Sequence, residues 1–337
     1  MTSYGIQQPR QRQRSVLTRW LAADTLAGIK RQRAIMGYLF IAQTILGLLV
    51  FIVGPMFGAF GLSFFKWNVF RPPEFIGLAN FQRLVADDRV LISFKNTFIL
   101  VVLTIVMLEI LAFLLALSVY RLKSRALSTF FRTAYFLPVL LSGAAVAVTL
   151  GYLFNQDFGV INYYLGLIGI AKIPWLTSKD VVLIAVSITT VWRNLGFSFI
   201  IYLGGLSSLP SEVLEAAEVD GAQGWQKIAR IILPLLSPTI LFVTVTDIIK
   251  MLQFFDEPFI MTRGGPGDAS RTVVMLMYEN GFGNLNFGYA AAIALCLFAV
   301  IMGLILFASK SGNKRSITFA ISTILSFILL IWAILTR

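Results

Sequence analysis

The sequence contains no histidine and a single cysteine, Cys296. The first absence removes zinc triads and histidine-based acid–base catalysis, and the second removes any disulfide framework or thiolate metal site. Charge is also scarce: 13% of residues are charged, against about 25% in water-soluble domains. No G-x-x-x-x-G-K-[ST] phosphate loop occurs, so ATP chemistry is not expected of this chain. No small-residue cleavage pattern follows the first apolar run, which is too long for a signal peptide and is expected to remain as a span.

Apolar residues are abundant, at 58% with a mean hydropathy of +0.82. Seven stretches approach or reach the ~20 residues that carry a helix across a ~30 Å hydrocarbon core. They lie near Tyr38–Phe60, Thr97–Val119, Ala134–Phe154, Val182–Leu203, Leu235–Phe255, Phe287–Phe307 and Ile317–Leu335. The expected class is therefore an all-α polytopic membrane protein.

A net charge of +12 could suggest nucleic acid, but its distribution argues for a membrane. Seven cations precede the first span: Arg10, Arg12, Arg14, Arg19, Lys30, Arg31 and Arg33. Arg121, Lys123, Arg125 and Arg132 lie between spans two and three, while Lys310, Lys314 and Arg315 follow span six. With Lys227 and Arg230 in the loop after span four, 16 cations fall on one side of an alternating topology and nine on the other. The positive-inside rule then places the N-terminus and that loop in the cytoplasm. Residues 1–15 read as disordered, and Val16–Met36 as either an interfacial helix or a basic tail that fixes topology.

The loop after span four carries the strongest motif. Pro210 ends the span, Ser211 can cap a new helix, and Glu212 and Glu215 sit near its positive end. Ala216 and Ala217 keep one face flat enough for another protein to approach. Gly221 permits a sharp turn or a left-handed backbone, and an amphipathic segment with Trp225, Ile228 and Ile232 returns to Pro234. The spacing E-A-A-x3-G-x9-I-x-L-P, from Glu215 through Gly221 and Ile231 to Pro234, resembles at every position the signature loop of permease subunits of binding-protein-dependent ABC importers. Further matches look like landmarks of the carbohydrate-uptake branch, with its maltose-, trehalose- and glycerol-3-phosphate-type importers. They are Asn80-Phe81, Asn96-Thr97, Phe136-Leu137-Pro138, Gly159 with Asn162, Trp192 with Gly196-Phe197, Asp256 and Gly264-Gly265-Pro266. The resemblance covers about residues 35–310.

It implies the type I importer permease fold, with six core spans, a basic cytoplasmic segment at 1–36, a transmembrane domain at 37–310 and a coupling loop at 210–234. Residues 311–337 depart from the pattern and read as an extra C-terminal span. The resemblance also implies that Glu215 pairs with an ATPase side chain, with Ala216, Ala217, Asp220, Gly221, Ile231 and Pro234 shaping the contact. The implied partners are two copies of an ABC ATPase carrying ATP and magnesium, a second homologous permease and an extracytoplasmic solute-binding protein. The implied location is a bacterial or archaeal plasma membrane, with no cofactor on this chain and no nucleic acid. Permeases of polyamine, phosphate or peptide importers share the loop, and an ion-coupled carrier is a more distant alternative.

Charged residues inside spans are the remaining signal, since each costs roughly 2.5–3.5 kcal/mol at a helix centre and so avoids lipid. Asp247 and Lys250 are three apart and can pair on one helix face, while Glu109 and Arg193 could pair between helices. Such pairs either hold the bundle together or line a polar pathway. Trp192, Arg193 and Asn194 in span four, with Gln253 and Phe254 in span five, are the candidate solute contacts. An aromatic beside hydrogen-bonding groups suits a sugar, whose faces are partly apolar and whose rim is hydroxyl.

Overall fold

The computed structural model describes residues 26–311, which divide into two units at Ala59 and Phe60. The expected C-terminal span at Ile317–Leu335 and the tail before Leu26 lie outside the described residues. In the first unit, α1 (Leu26–Leu48) passes through a π-helical turn at Leu49–Val53 into α2 (Gly54–Leu62). Tyr38, Phe40, Phe51 and Phe57 are exposed, as on a helix that lipid solvates. Residues 26–36, expected as a separate basic segment, continue this helix, with Lys30 and Arg33 on it.

The second unit opens with a two-strand hairpin, β1 (Phe65–Lys66) paired antiparallel to β2 (Glu74–Phe75), a small exception to the all-α expectation. Asn80, at the start of α3 (Ala79–Ala86), ties this hairpin down by donating to the carbonyls of Ser63 at 2.8 Å and Phe65 at 3.0 Å. Next comes α4 (Asp88–Tyr120), which begins nine residues before the expected span because Asp87 caps it by accepting from the Arg89 N–H. At 33 residues it runs through both large apolar clusters of the unit.

The third span is not one straight helix. Its halves, α5 (Arg125–Phe136) with a 3-10 turn at Leu137–Leu140, and α6 (Gly143–Leu153), meet at 99°. Pro138 has no N–H to give an α-helical ladder, and the chain is extended at Leu141 and Ser142 before α6 begins. In α7 (Val160–Leu167), Asn162 organises the loop between spans three and four by donating to Gln156 and Ile173 and accepting from the Ile173 N–H and the Trp175 ring N–H.

Span four, α8 (Val182–Ser207), lies along α4 and packs on α5. Gly196 is the point of closest approach: a Cβ there would collide with the backbone of Tyr135 and Phe136. Span five is also bent. After α9 (Ser211–Val219), the segment from Gly224 to Leu235, which opens with α10 (Gly224–Lys227), meets α11 (Ser237–Leu252) at 71°. Beyond α11 come α12 (Asp256–Thr262), the Gly264–Gly267 turn, α13 (Val273–Tyr278), a π-helical turn at Glu279–Gly283 and α14 (Phe287–Ser311). Among the described residues four helices are long and apolar enough to cross a membrane, and six spans result if each bent pair crosses once.

The turn at 264–267 is held by residues of α4 and α12. Asn96 donates to the carbonyls of Asp268 at 2.7 Å and Arg271 at 3.2 Å, and the Val273 N–H donates to Thr97 Oγ1 at 3.0 Å. Arg271 and Arg89 both contact Asp268 and Glu279, closing a quartet of two cations and two acids. Burial alone would raise the Asp268 carboxyl, but the hydrogen bonds and charges of Arg271 and Arg89 hold it below its ordinary 3.8. The quartet therefore survives mild acid.

The Gly196 approach predicts that Gly196→Val, overpacking α8 against α5, destabilises the bundle by about 1–3 kcal/mol. Thermal unfolding in detergent checks this against Gly204→Ala, where an added Cβ meets nothing within 4 Å.

Candidate functional sites

Two regions bring the chemistry-bearing residues together. The first is the loop between spans four and five. Pro210, extended at φ −61 and ψ 121, occupies the N-cap position, so Ser211 is the first residue of α9 (Ser211–Val219) and not its side-chain cap. Glu212 lies in the first turn and Glu215 in the second.

α9 ends in a Schellman motif: the Ala222 N–H reaches the Ala217 carbonyl at 2.9 Å and the Gly221 N–H reaches Glu218 at 3.1 Å. Gly221 has φ +82, the left-handed conformation its lack of a side chain allows. The chain then returns through α10 (Gly224–Lys227) and a π-helical turn at Ile228–Ile232. Lys227 Nζ lies 2.5 Å from Glu218 Oε1, strapping the return to α9.

The two alanines of the motif have opposite surroundings. Ala217 is buried, whereas Ala216 is exposed beside Glu215, Val219 and Asp220. The expected flat outer face is thus Ala216 alone; Ala217 is small because α9 rests on the bundle there. Ile228 and Ile232 are buried with Leu236, Leu117 and Leu206 in one apolar cluster, against which Leu214 packs. Ile231 is half-buried, and Trp225 and Pro234 are exposed. A groove of about 710 Å³ lies between α9, the return segment and the end of α4, with Glu215, Glu218, Lys227 and Arg121 in its lining.

The second region is a cavity of about 210 Å³ among α8, α11 and α12. It brings together Arg193, Asn194, Gln253 and Phe254 of the expected solute contacts and adds Lys250, Asp256 and Glu257. Trp192 is exposed and does not line it.

The expected Glu109–Arg193 pair does not form. Arg193 Nη1 donates to Glu257 at 2.9 Å and lies 3.9 Å from Asp256, while Glu109 accepts from the Tyr202 hydroxyl. Register explains this: Glu109 meets α8 at Tyr202, nine residues from Arg193, or about 13 Å along the helix. Asp247 and Lys250 do approach, at 3.9 Å, and Asp247 also accepts from Ser198 at 2.7 Å. Lys250 Nζ sits 3.3 Å from the centre of the Phe197 ring.

Tyr202, Ser198 and Glu257 were not expected as partners. The signal was available for the first two, because a hydroxyl inside a span needs an acceptor. For Glu257 it was not, because the sequence places α12 beyond the span and outside the bundle.

The model of the family described as binding-protein-dependent transport system inner membrane component matches residues 109–315. The chain belongs to this family. It is 33% identical over 285 residues to the sn-glycerol-3-phosphate transport system permease protein UgpA of Agrobacterium fabrum, covering 83% of this chain and 96% of that one. A probable starch degradation products transport system permease protein, AmyD of Thermoanaerobacterium thermosulfurigenes, is 30% identical over 269 residues, covering 78% of this chain and 89% of its own. Among solved structures, a chain of a bacterial alginate ABC transporter in complex with an alginate pentasaccharide-bound periplasmic protein superposes with a TM-score of 0.75 at 25% identity, covering 85% of this chain and 96% of that chain.

The permease thus has the type I importer fold and is a multi-pass membrane transport protein, not an enzyme. A binding-protein-dependent system works with a solute-binding protein and an ATPase.

The Arg193–Glu257 contact generates a stability prediction. The Glu257 side chain is 1% exposed, so Arg193→Gln leaves a buried charge unpaired and costs about 3–5 kcal/mol. Thermal unfolding of the permease complex in detergent measures the loss, and adding Glu257→Gln in the same chain recovers part of it.

Proposed function

We propose that this permease forms half of the pathway by which an ATP-driven importer carries a sugar or sugar-like solute across the plasma membrane. The observation that carries the reading is α9: an exposed face with Glu215, rooted in the bundle through Ala217, Ile228 and Ile232. A partner gripping the exposed face pulls directly on the cluster shared by α4, α8 and α11. The carbohydrate assignment is supported by the solutes of the relatives, which include starch degradation products, alginate and glycerol-3-phosphate.

In this reading Glu215 pairs with an ATPase side chain, Ala216 and Asp220 border the contact, and Gly221 sets the turn that presents them. Ile231 and Pro234 hold the return segment. Two ATPase copies bind the ATP and magnesium, this chain has no nucleotide-binding domain, and a second homologous permease completes the pathway. The N-terminus and α9 belong to the cytoplasmic side, a reading supported by the excess of cations there and by Arg121 in the lining of the groove.

Binding protein delivers solute from outside, ATP closes the ATPases, and the movement of α9 opens the cavity outward. For this to work, the ATPase must bind the two permease states with different affinity, since equal binding shifts nothing.

Glu215→Lys reverses the charge at the contact, and Gly221→Val forces a branched side chain into φ +82. Both are expected to abolish ATP-driven uptake in vesicles containing the full complex, with insertion and assembly intact. Wild-type uptake by either variant would show that α9 does not transmit the stroke.

A further inference from the structure

Resting on the reading of this chain as a permease for sugar-like solutes, we propose that its half of the pathway accepts uncharged, hydroxyl-rich solutes and disfavours carboxylated or phosphorylated ones. The relatives leave this choice open, because their solutes are of both kinds.

The cavity beside α8 decides it by charge. Its lining holds two cations, Arg193 and Lys250, and two acids, Asp256 and Glu257. Each cation already has an internal partner: Arg193 contacts Glu257 at 2.9 Å and Asp256 at 3.9 Å, and Lys250 lies 3.9 Å from Asp247. Glu257 and Asp247 are each 1% exposed, so neither can turn to water if its cation is taken. Counting Asp247, three carboxylates face two cations, a formal charge of −1.

An ideal Cβ at Gly143, the first residue of α6, would lie about 2.5 Å from Asp256 Oδ2, so that carboxylate sits at the positive end of a helix. The helix end is worth roughly half a charge, which leaves the site without a positive surplus. A solute phosphate or carboxylate would have to draw Arg193 or Lys250 away and strand a buried acid.

The same walls suit hydroxyls. Asn194 and Gln253 bring amides, and Asp256 is half-exposed. Phe254 and Phe255 supply apolar surface for a sugar face. At about 210 Å³ the cavity is smaller than the ~300–1,000 Å³ of a complete small-molecule site, as expected of a half closed by a second permease.

The test uses the assembled complex of both permeases and the ATPases in detergent, without binding protein, titrated at low ionic strength. The probes are maltotriose, β-1,4-mannotriose and the corresponding mannuronate trisaccharide, the last two differing only in hydroxymethyl or carboxylate at C6. A neutral trisaccharide is expected to bind at least tenfold more tightly than the uronate, and Asp256→Asn is expected to narrow that ratio threefold or more. Uronate binding equal to or tighter than the neutral probes overturns the proposal, as does a ratio that Asp256→Asn leaves unmoved. Absence of saturable binding by every trisaccharide also overturns it. ATP-driven uptake by the same complex in proteoliposomes with its binding protein reports separately on the importer reading, so the two can fail independently.

Discussion

Inside the bilayer a polar or charged side chain must find its partner within the protein, and in this permease the partners converge on one helix. Three acids from three other helices end on α8: Glu257 of α12 on Arg193, Asp247 of α11 on Ser198, and Glu109 of α4 on Tyr202. Each acid alone would cost roughly 2.5–3.5 kcal/mol at a span centre. Together they fix the register of α4, α11 and α12 against α8 more specifically than apolar packing can, since lipid tails are as apolar as leucine. Gly196, between the first two contacts, lets α5 approach the same helix.

That register connects the two functional regions. At one level of α8, the Arg193 pair forms a wall of the polar cavity. Further along, Phe199, Tyr202 and Leu206 share an apolar cluster with Ile228 and Ile232 of the segment returning from α9. A displacement of α9 therefore meets a packed block, in which close-packed interiors transmit strain, before it reaches the cavity. The Schellman turn at Gly221 and the Glu218–Lys227 strap stiffen α9 and its return segment. The asparagine and threonine landmarks do a different job: Asn80, Asn96, Thr97 and Asn162 each close a loop by bonding backbone groups that would otherwise lack partners.

Much of this was legible in the sequence, for physical reasons that also mark where legibility stops. Length and hydropathy located the starts of α14 and α8 to the residue, because an apolar run bounded by polar loops has little freedom. The motif at 215–234 announced a helix, a turn at Gly221 and a return, since alanine favours helix, glycine frees the backbone and proline restricts it. The bends at Pro138 and Leu236 were not anticipated, because hydropathy does not register the direction of a chain. The partner of Arg193 was misread for a similar reason: two opposite charges in spans suggest a pair, but helix register decides which groups meet. Glu257 escaped notice because α12 folds back against α6 and α8, a tertiary event that local pattern does not contain.

The central claim is that the exposed face of α9 is held by an ATPase while its buried face holds the bundle. The most direct test places single cysteines at Val219, 88% exposed, and at Ala217, 7% exposed, after Cys296→Ala removes the native thiol. A short bifunctional crosslinker applied to the assembled transporter is predicted to join Val219→Cys to the ATPase subunit, with a yield that changes on ATP binding, and to leave Ala217→Cys unlinked. Capture through Ala217→Cys but not Val219→Cys, or no capture of the ATPase in any nucleotide state, would contradict the account.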